Sequence, residues 1–105
     1  MIEWTRLSGF DWDEGNERKS ILKHGVSQLE AEQVFFNQPL LILLDEKHSQ
    51  SEPRFHTLGK TDTERLLHIT FTLRADNSLI RVISARDMHR KEKLIYEQTQ
   101  KDTQV

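Results

Sequence analysis

The sequence predicts an α+β domain: one antiparallel sheet of about four strands, with two helices before it and one after it. Three observations carry this expectation. In "RLLHITFTLR", Leu67, Ile69, Phe71 and Leu73 alternate with His68, Thr70, Thr72 and Arg74, the period-two signature of a strand with one buried face. In "SQLEAEQVFF", Ser27 and Glu30 have the spacing of a capping box ahead of an apolar stripe. Pro39 forbids that helix from continuing, and from "LLILLD" onward the pattern is strand-like. An order of helices, meander and helix implies one sheet with its helices on one side and its other face wet.

In order along the chain, residues 1–8 read as an N-terminal extension, 9–100 as the core and 101–105 as a tail of a single domain. "FDWD" is a candidate short strand. "DEGNERKSILKHG" reads as a helix, with Asp13 and Glu14 in its first turn and Gly25 as its stop. "SQLEAEQVFF" is the second helix, burying Leu29, Ala31, Val34 and Phe35. The strands are then "LLILLD", "RFHTLGK", "RLLHITFTLR" and "LIRVIS", with "ADNS" as the turn between the last two. Ser84 is the expected cap of a final helix reaching about Gln100.

Composition narrows the function classes. A chain of 105 residues suits one domain. It has no cysteine, which removes disulfides, thiolate metal sites and thiol nucleophiles. The apolar run from Leu40 to Leu44 is far below the ~18 residues of a membrane span, and "MIEWTRLSGF" has no apolar signal core. A cytoplasmic protein that does not contact a membrane is expected. The formal charge of −2 conceals an asymmetry: residues 54–93 hold nine Lys/Arg against five Asp/Glu, and the rest is strongly acidic. That contrast points to a basic working face.

The strand alternation locates that face. A four-residue "ADNS" connection pairs Arg74 with Leu79 and Thr72 with Arg81, so Ile80 and Val82 join Leu73 and Phe71 in the core. Arg81 then shares the polar face with His68, Thr70, Thr72 and Arg74. For "RFHTLGK" the simplest hairpin sets Thr57 opposite His68 and sends Arg54 and His56 toward the helices; a one-residue slip reverses this. On the final helix Arg86, Arg90 and Lys93 fall at i, i+4 and i+7, a basic stripe starting where the Arg81 strand ends. Arginine there suits a phosphate backbone, because its fork matches phosphate oxygens.

Five segments, "FDWDEGN", "KHGVSQLEAEQVFFNQPL", "LDEKHSQSEPRFHTLGKTD", "TFTLR" and "IRVISARDMHRKEKLIYE", resemble the BrnT family over residues 10–97. BrnT proteins are toxin ribonucleases of bacterial type II toxin–antitoxin systems with a RelE-like fold. "KHGVS", the Asp45-x-x-His48 spacing and "RVISAR" are the specific part of the match. Met88 stands where a small residue is expected, and Phe71 where a tyrosine is frequent. The resemblance implies metal-independent endoribonuclease activity with no cofactor, inhibition of translation, and neutralisation by a BrnA-type antitoxin. Contact with DNA is implied only through that antitoxin.

Cleavage of this kind needs a base for the 2′-hydroxyl, cations for the phosphorane charge and an acid for the leaving 5′-oxygen. Candidate catalytic residues are Arg81, Arg86, Arg74, His68, Arg54 and His48. Arg81 and Arg86 are expected on the scissile phosphate, one from the sheet and one from the final helix's first turn, whose free N–H groups would also favour an anion. Asp87 is expected to face away. Arg90, Lys93 and His56 are the expected RNA-binding set.

Blander assignments exist for each. Arg81 and Arg86 could be surface arginines paired with Asp87 or Glu92, His68 a plain strand residue, and His24 a partner for helix-end carbonyls. Asp45 and His48 could form a loop hydrogen bond, a metal pair or part of the active surface; two ligands without a third argue against metal. Glu92 and Tyr96 read as packing or pairing residues. The acidic flank of Asp11, Asp13, Glu14 and Glu17 either contacts an antitoxin or solvates the first helix. A helix-turn-helix outline around Gly25 is opposed by Glu30 and Glu32 in its second helix. The alternative from another class is a non-catalytic RNA- or protein-binding module of the same fold.

Overall fold

The computed structural model describes residues 2, 4–13, 15 and 23–103. The chain order is β1 (Gly9–Phe10), α1 (Gln28–Val34), β2 (Leu41–Leu44), β3 (Arg54–Lys60), β4 (Leu66–Arg74), β5 (Leu79–Asp87) and α2 (Arg90–Thr103). Short 3-10 turns occupy Trp4–Arg6 and Glu46–His48. The class is α+β, but the described residues form a sheet of five strands rather than about four, in the order β1-β5-β4-β3-β2. It is mixed rather than antiparallel, because β1 runs parallel to β5. Two helices are defined among the described residues. The helix expected over 13–25 falls mostly on residues 16–22, outside the described residues.

Local chemistry explains each element. The Ser27 hydroxyl accepts from Glu30 N–H at 3.1 Å and the Glu30 carboxylate accepts from Ser27 N–H at 3.1 Å, closing the capping box of α1. The β4–β5 turn carries Ala75, Asp76 and Asn77 at positive φ and sets the register read from the sequence: Arg74 faces Leu79, Thr72 faces Arg81 and Leu73 faces Ile80.

The core lies between α1 and one sheet face. Val26, Ala31 and Val34 meet Phe55, Leu67, Ile69, Phe71, Ile80, Val82 and Ala85, and Phe35 stacks edge-on to Phe71 at 5.1 Å. Leu29, expected in this stripe, is 64% exposed. With α1 only seven residues long, the buried side is met by Ala31 and Val34, and Leu29 turns outward.

The last expected helix begins later than Ser84. Ala85 is fully buried opposite Ile69, and Ser84 pairs with Thr70, so the ladder holds this segment as strand through Asp87. Between the Thr70–Ser84 and Phe71–Val82 pairs the register shifts, leaving Ile83 as an extra residue. That bulge turns Ser84 and Arg86 to the side opposite the core. Arg86 therefore sits on β5, and no continuous Arg86–Arg90–Lys93 helix stripe exists. α2 instead starts after His89, whose N–H donates to Glu92 at 2.7 Å.

The helices are not all on one side. Glu92 and Ile95 of α2 share a groove with His56, Leu58 and His68, so α2 crosses the second face. Tyr96 is fully buried and its hydroxyl donates to the Pro39 carbonyl at 2.7 Å. Thr70 and Thr72 on this face are buried rather than wet, and the Thr72 hydroxyl donates to the Pro53 carbonyl.

Gly59 marks the closest approach of β3 to α1. A Cβ there would sit 2.6 Å from Val34 Cγ1 and 3.5 Å from the Val34 carbonyl, and a helical valine has little rotamer freedom to yield. Gly59→Ala should cost about 1–3 kcal/mol of stability, read by equilibrium urea unfolding. An unchanged midpoint would show that α1 is not held tightly against β3.

Candidate active site

Three rows of side chains cross the sheet face opposite the core. Arg54, Thr72 and Arg81 form the first, His56, Thr70 and Ser84 the second, and Leu58, His68 and Arg86 the third. Successive rows are about 7 Å apart at the normal strand rise. The β3–β4 register pairs Thr57 with Ile69 and Leu58 with His68. The one-residue slip is thus realised, and Arg54 and His56 join the site face instead of pointing toward the core helix.

The second and third rows hold a continuous polar cluster. Arg86 donates from both terminal nitrogens to the two Glu92 oxygens, at 2.8 and 3.0 Å. Those bonds, with the donation from His89 N–H, hold the Glu92 carboxyl down at about 2 against the opposing effect of burial. His68 lies beside this pair, with Nε2 3.9 Å from Glu92 Oε2. Its side chain is 12% exposed, and burial, reinforced by the Arg86 charge, drives its pKa down to about 4. The ring is neutral at pH 7. Its Nδ1 is buried and has no hydrogen-bond partner among the described residues.

His56 packs against His68 with ring centroids 5.1 Å apart. Its Nε2 is 2.8 Å from Asp45 Oδ2 and its Nδ1 is 3.0 Å from Thr70 Oγ1. With Asp45 ionised, Nε2–H donates and Nδ1 accepts from the threonine hydroxyl. Asp45 is the N-cap of the 46–48 turn and also accepts from His48 N–H at 3.2 Å and His48 Nδ1 at 2.9 Å. Burial works to raise the Asp45 carboxyl, but donation from His48 and His56 outweighs it and leaves it below the usual carboxylate range.

The first row forms a separate cluster. Arg81 donates to Asp13 at 2.6 Å and lies 3.6 Å from Asp11. Arg74 donates to Glu52 at 3.1 Å. Asp13, Glu52, Arg54, Arg74 and Arg81 line a shallow groove of about 390 Å³. The Arg54 guanidinium has no ion pair among the described residues.

A model of the ribonuclease toxin BrnT, of type II toxin–antitoxin systems, matches residues 12–92. The chain belongs to the BrnT family. The crystal structure of the BrnT ribonuclease toxin of Brucella abortus shares its fold, at 19% identity and a TM-score of 0.57, covering 78% of this chain and 97% of that one. No curated protein sequence matches the chain. Among the described residues no helix is long and apolar enough to cross a membrane.

Measured against the residues expected from sequence, this BrnT-family chain brings His48, His56, His68 and Arg86 together. Arg54, Arg74 and Arg81 form the other group. Arg81 and Arg86 stand two rows apart, about 13 Å along the strands, and Arg86 is not in a helix's first turn. Asp87 does face away, bonded to Arg65 at 2.8 Å. Arg90 and Lys93 are exposed on α2.

Glu92, Asp45 and Thr70 are the participants that sequence reasoning undervalued. Their spacings, Asp45 three before His48 and Glu92 three after His89, resemble local caps and conceal their cross-strand partners. Within the acidic flank, Asp11 and Asp13 hold Arg81, while Glu14 and Glu17 lie outside the described residues. Among the described residues no three His, Asp or Glu side chains form a metal-binding group; Asp45 is engaged instead by two imidazoles.

The neutral His68 predicts a pH signature. Its pKa falls from 6.5 to about 4 on folding, so between those values the unfolded chain binds more protons. The stability present above pH 6.5 is lost as pH falls toward 4. Glu92, lowered from 4.5 to about 2, adds a loss of the same sign below pH 4.5. His68→Gln should flatten the pH 6.5–4 part of the urea-midpoint profile relative to wild type. Parallel profiles would rule out a buried, neutral His68.

Proposed function

We propose that the protein is a metal-independent endoribonuclease toxin that cleaves RNA, inhibits translation and is neutralised by a BrnA-type antitoxin, which supplies the pair's contact with DNA. One observation carries this reading: His68 is buried and neutral, has one ring nitrogen without a partner among the described residues, and sits between a second imidazole and an arginine. A buried polar atom without a partner fits a group that substrate completes.

In this reading His68 takes the proton of the 2′-hydroxyl. The 2′-oxygen attacks phosphorus, the bond to the 5′-oxygen breaks, and His56, entering the step with a second proton on the Nδ1 that otherwise accepts from Thr70, gives that proton to the leaving oxygen. The products are a cyclic 2′,3′-phosphate and a free 5′-hydroxyl. Arg86 turns from Glu92 to the phosphorane oxygens, where a planar fork stabilises charge better than a point charge. Asp45, backed by His48, and Thr70 orient His56. Arg54, Arg74 and Arg81 hold phosphates farther along the strand, and Arg90 and Lys93 extend the basic surface outside it.

The test is single-turnover cleavage of RNA by purified, folded protein in excess chelator. Wild type should remain active, and Arg86→Ala should lose about 10²–10³ in rate, with Arg86→Lys recovering part. Arg81→Ala should weaken binding and reduce its salt dependence with a smaller effect on turnover. If Arg81→Ala costs as much turnover as Arg86→Ala, the scissile phosphate lies over the first row. Absence of cleavage with RNA binding intact would instead favour a non-catalytic module. Expression alone should arrest growth, with protein synthesis falling first, and co-expression of the antitoxin should restore it.

A further inference from the structure

The edge of the sheet at β2 lacks the usual protections. β2 is the terminal strand, yet "LILL" carries no charge or proline, the devices that normally blunt such an edge. Asp45 N–H bonds the Arg54 carbonyl at 2.7 Å. By the alternation of an antiparallel ladder, Ile42 and Leu44 therefore turn their N–H and C=O groups away from β3.

Both sides of this edge are apolar and open. Leu43 is 74% exposed on the active-site face and Leu44 is 52% exposed on the other. In front, a groove of about 470 Å³ runs from Leu41 and Leu43 past Leu58 and Ile95 to His56 and His68. Behind, a cavity of about 350 Å³ is walled by Trp4, Leu44 and Phe55. A strand added to β2 would send alternate side chains into the two.

We infer that β2 receives an extended, apolar segment of the antitoxin, flanked by acidic residues, whose front-facing side chains cover His56 and His68. This rests on the toxin–antitoxin reading and adds how the partner would silence the site. Charge selects this occupant. Lys47 lies just beyond the strand and Lys91 one turn before Ile95; both are exposed, with no carboxylate partner among the described residues. A second copy of the chain would bring the same cations to the same edge, whereas acidic flanks neutralise them.

The experiment uses the full-length chain and the purified co-encoded antitoxin, followed by amide hydrogen exchange. The Ile42 and Leu44 amides should exchange quickly in the free protein and become protected in the complex. Leu44→Asp, on the face away from His68, should weaken antitoxin binding by about 30-fold or more and leave RNA cleavage within a few-fold of wild type. A tight complex with both amides unprotected overturns the inference and leaves the toxin reading standing. No complex with wild type overturns both. Self-association abolished by Leu44→Asp, with antitoxin binding unaltered, would assign the edge to a second copy. Loss of RNA binding in Leu43→Asp with antitoxin binding intact would assign the groove to a nucleobase. Either result overturns the inference.

Discussion

Ile83 has no cross-strand partner, and the arrangement of the active face depends on that irregularity. Before it, Ile80 and Val82 face the core and Arg81 faces away; after it, Ala85 faces the core and Ser84 and Arg86 face away. A regular strand would have carried Arg86 into the layer of Phe71 and Ile69. Burying an unpaired guanidinium there would cost several kcal/mol. The extra residue changes parity halfway along β5, so one strand supplies apolar residues to the core at both ends and still presents an arginine beside His68. Bulges commonly re-aim a side chain next to an active site in this way.

The second face is built on satisfied hydroxyls. Thr72 donates to the Pro53 carbonyl, and Thr70 meets His56. Each threonine can be buried because its hydroxyl has a partner, which leaves room for α2 and the 45–53 loop to come down over the sheet. The desolvation that keeps His68 neutral comes from this covering. A fully wet face would have left the imidazole near its ordinary value.

Much of this was legible in the sequence where one periodicity acts alone. The alternation around Ile69 and Phe71 predicted the core face, "ADNS" predicted the β4–β5 register, and Ser27 with Glu30 predicted the start of α1. The misses have physical causes. Ser84 is a good helix cap in isolation, but the burial of Ala85 outweighs that local preference. The parity of Arg54 and His56 hung on a single residue of register, which local composition does not determine. Glu92 and Asp45 look like caps because they are caps; their second role comes from partners brought across strands by tertiary structure. The short first strand expected at "FDWD" overlaps β1 at Phe10, but its parallel pairing with β5 from the far end of the chain leaves no local signal.

The carboxylates already seated on the arginines have a further consequence. Arg74, Arg81 and Arg86 each meet an internal anion, tethered at the high effective concentration of an intramolecular partner. A lone phosphate or chloride must displace such a tethered competitor at one position and gains little by doing so. A polyanion that spans the rows makes several such exchanges while losing its translational freedom only once. In the proposed reading the face favours linked phosphates over single ones, because internal carboxylates compete at Arg74, Arg81 and Arg86 and leave a lone anion little to gain there.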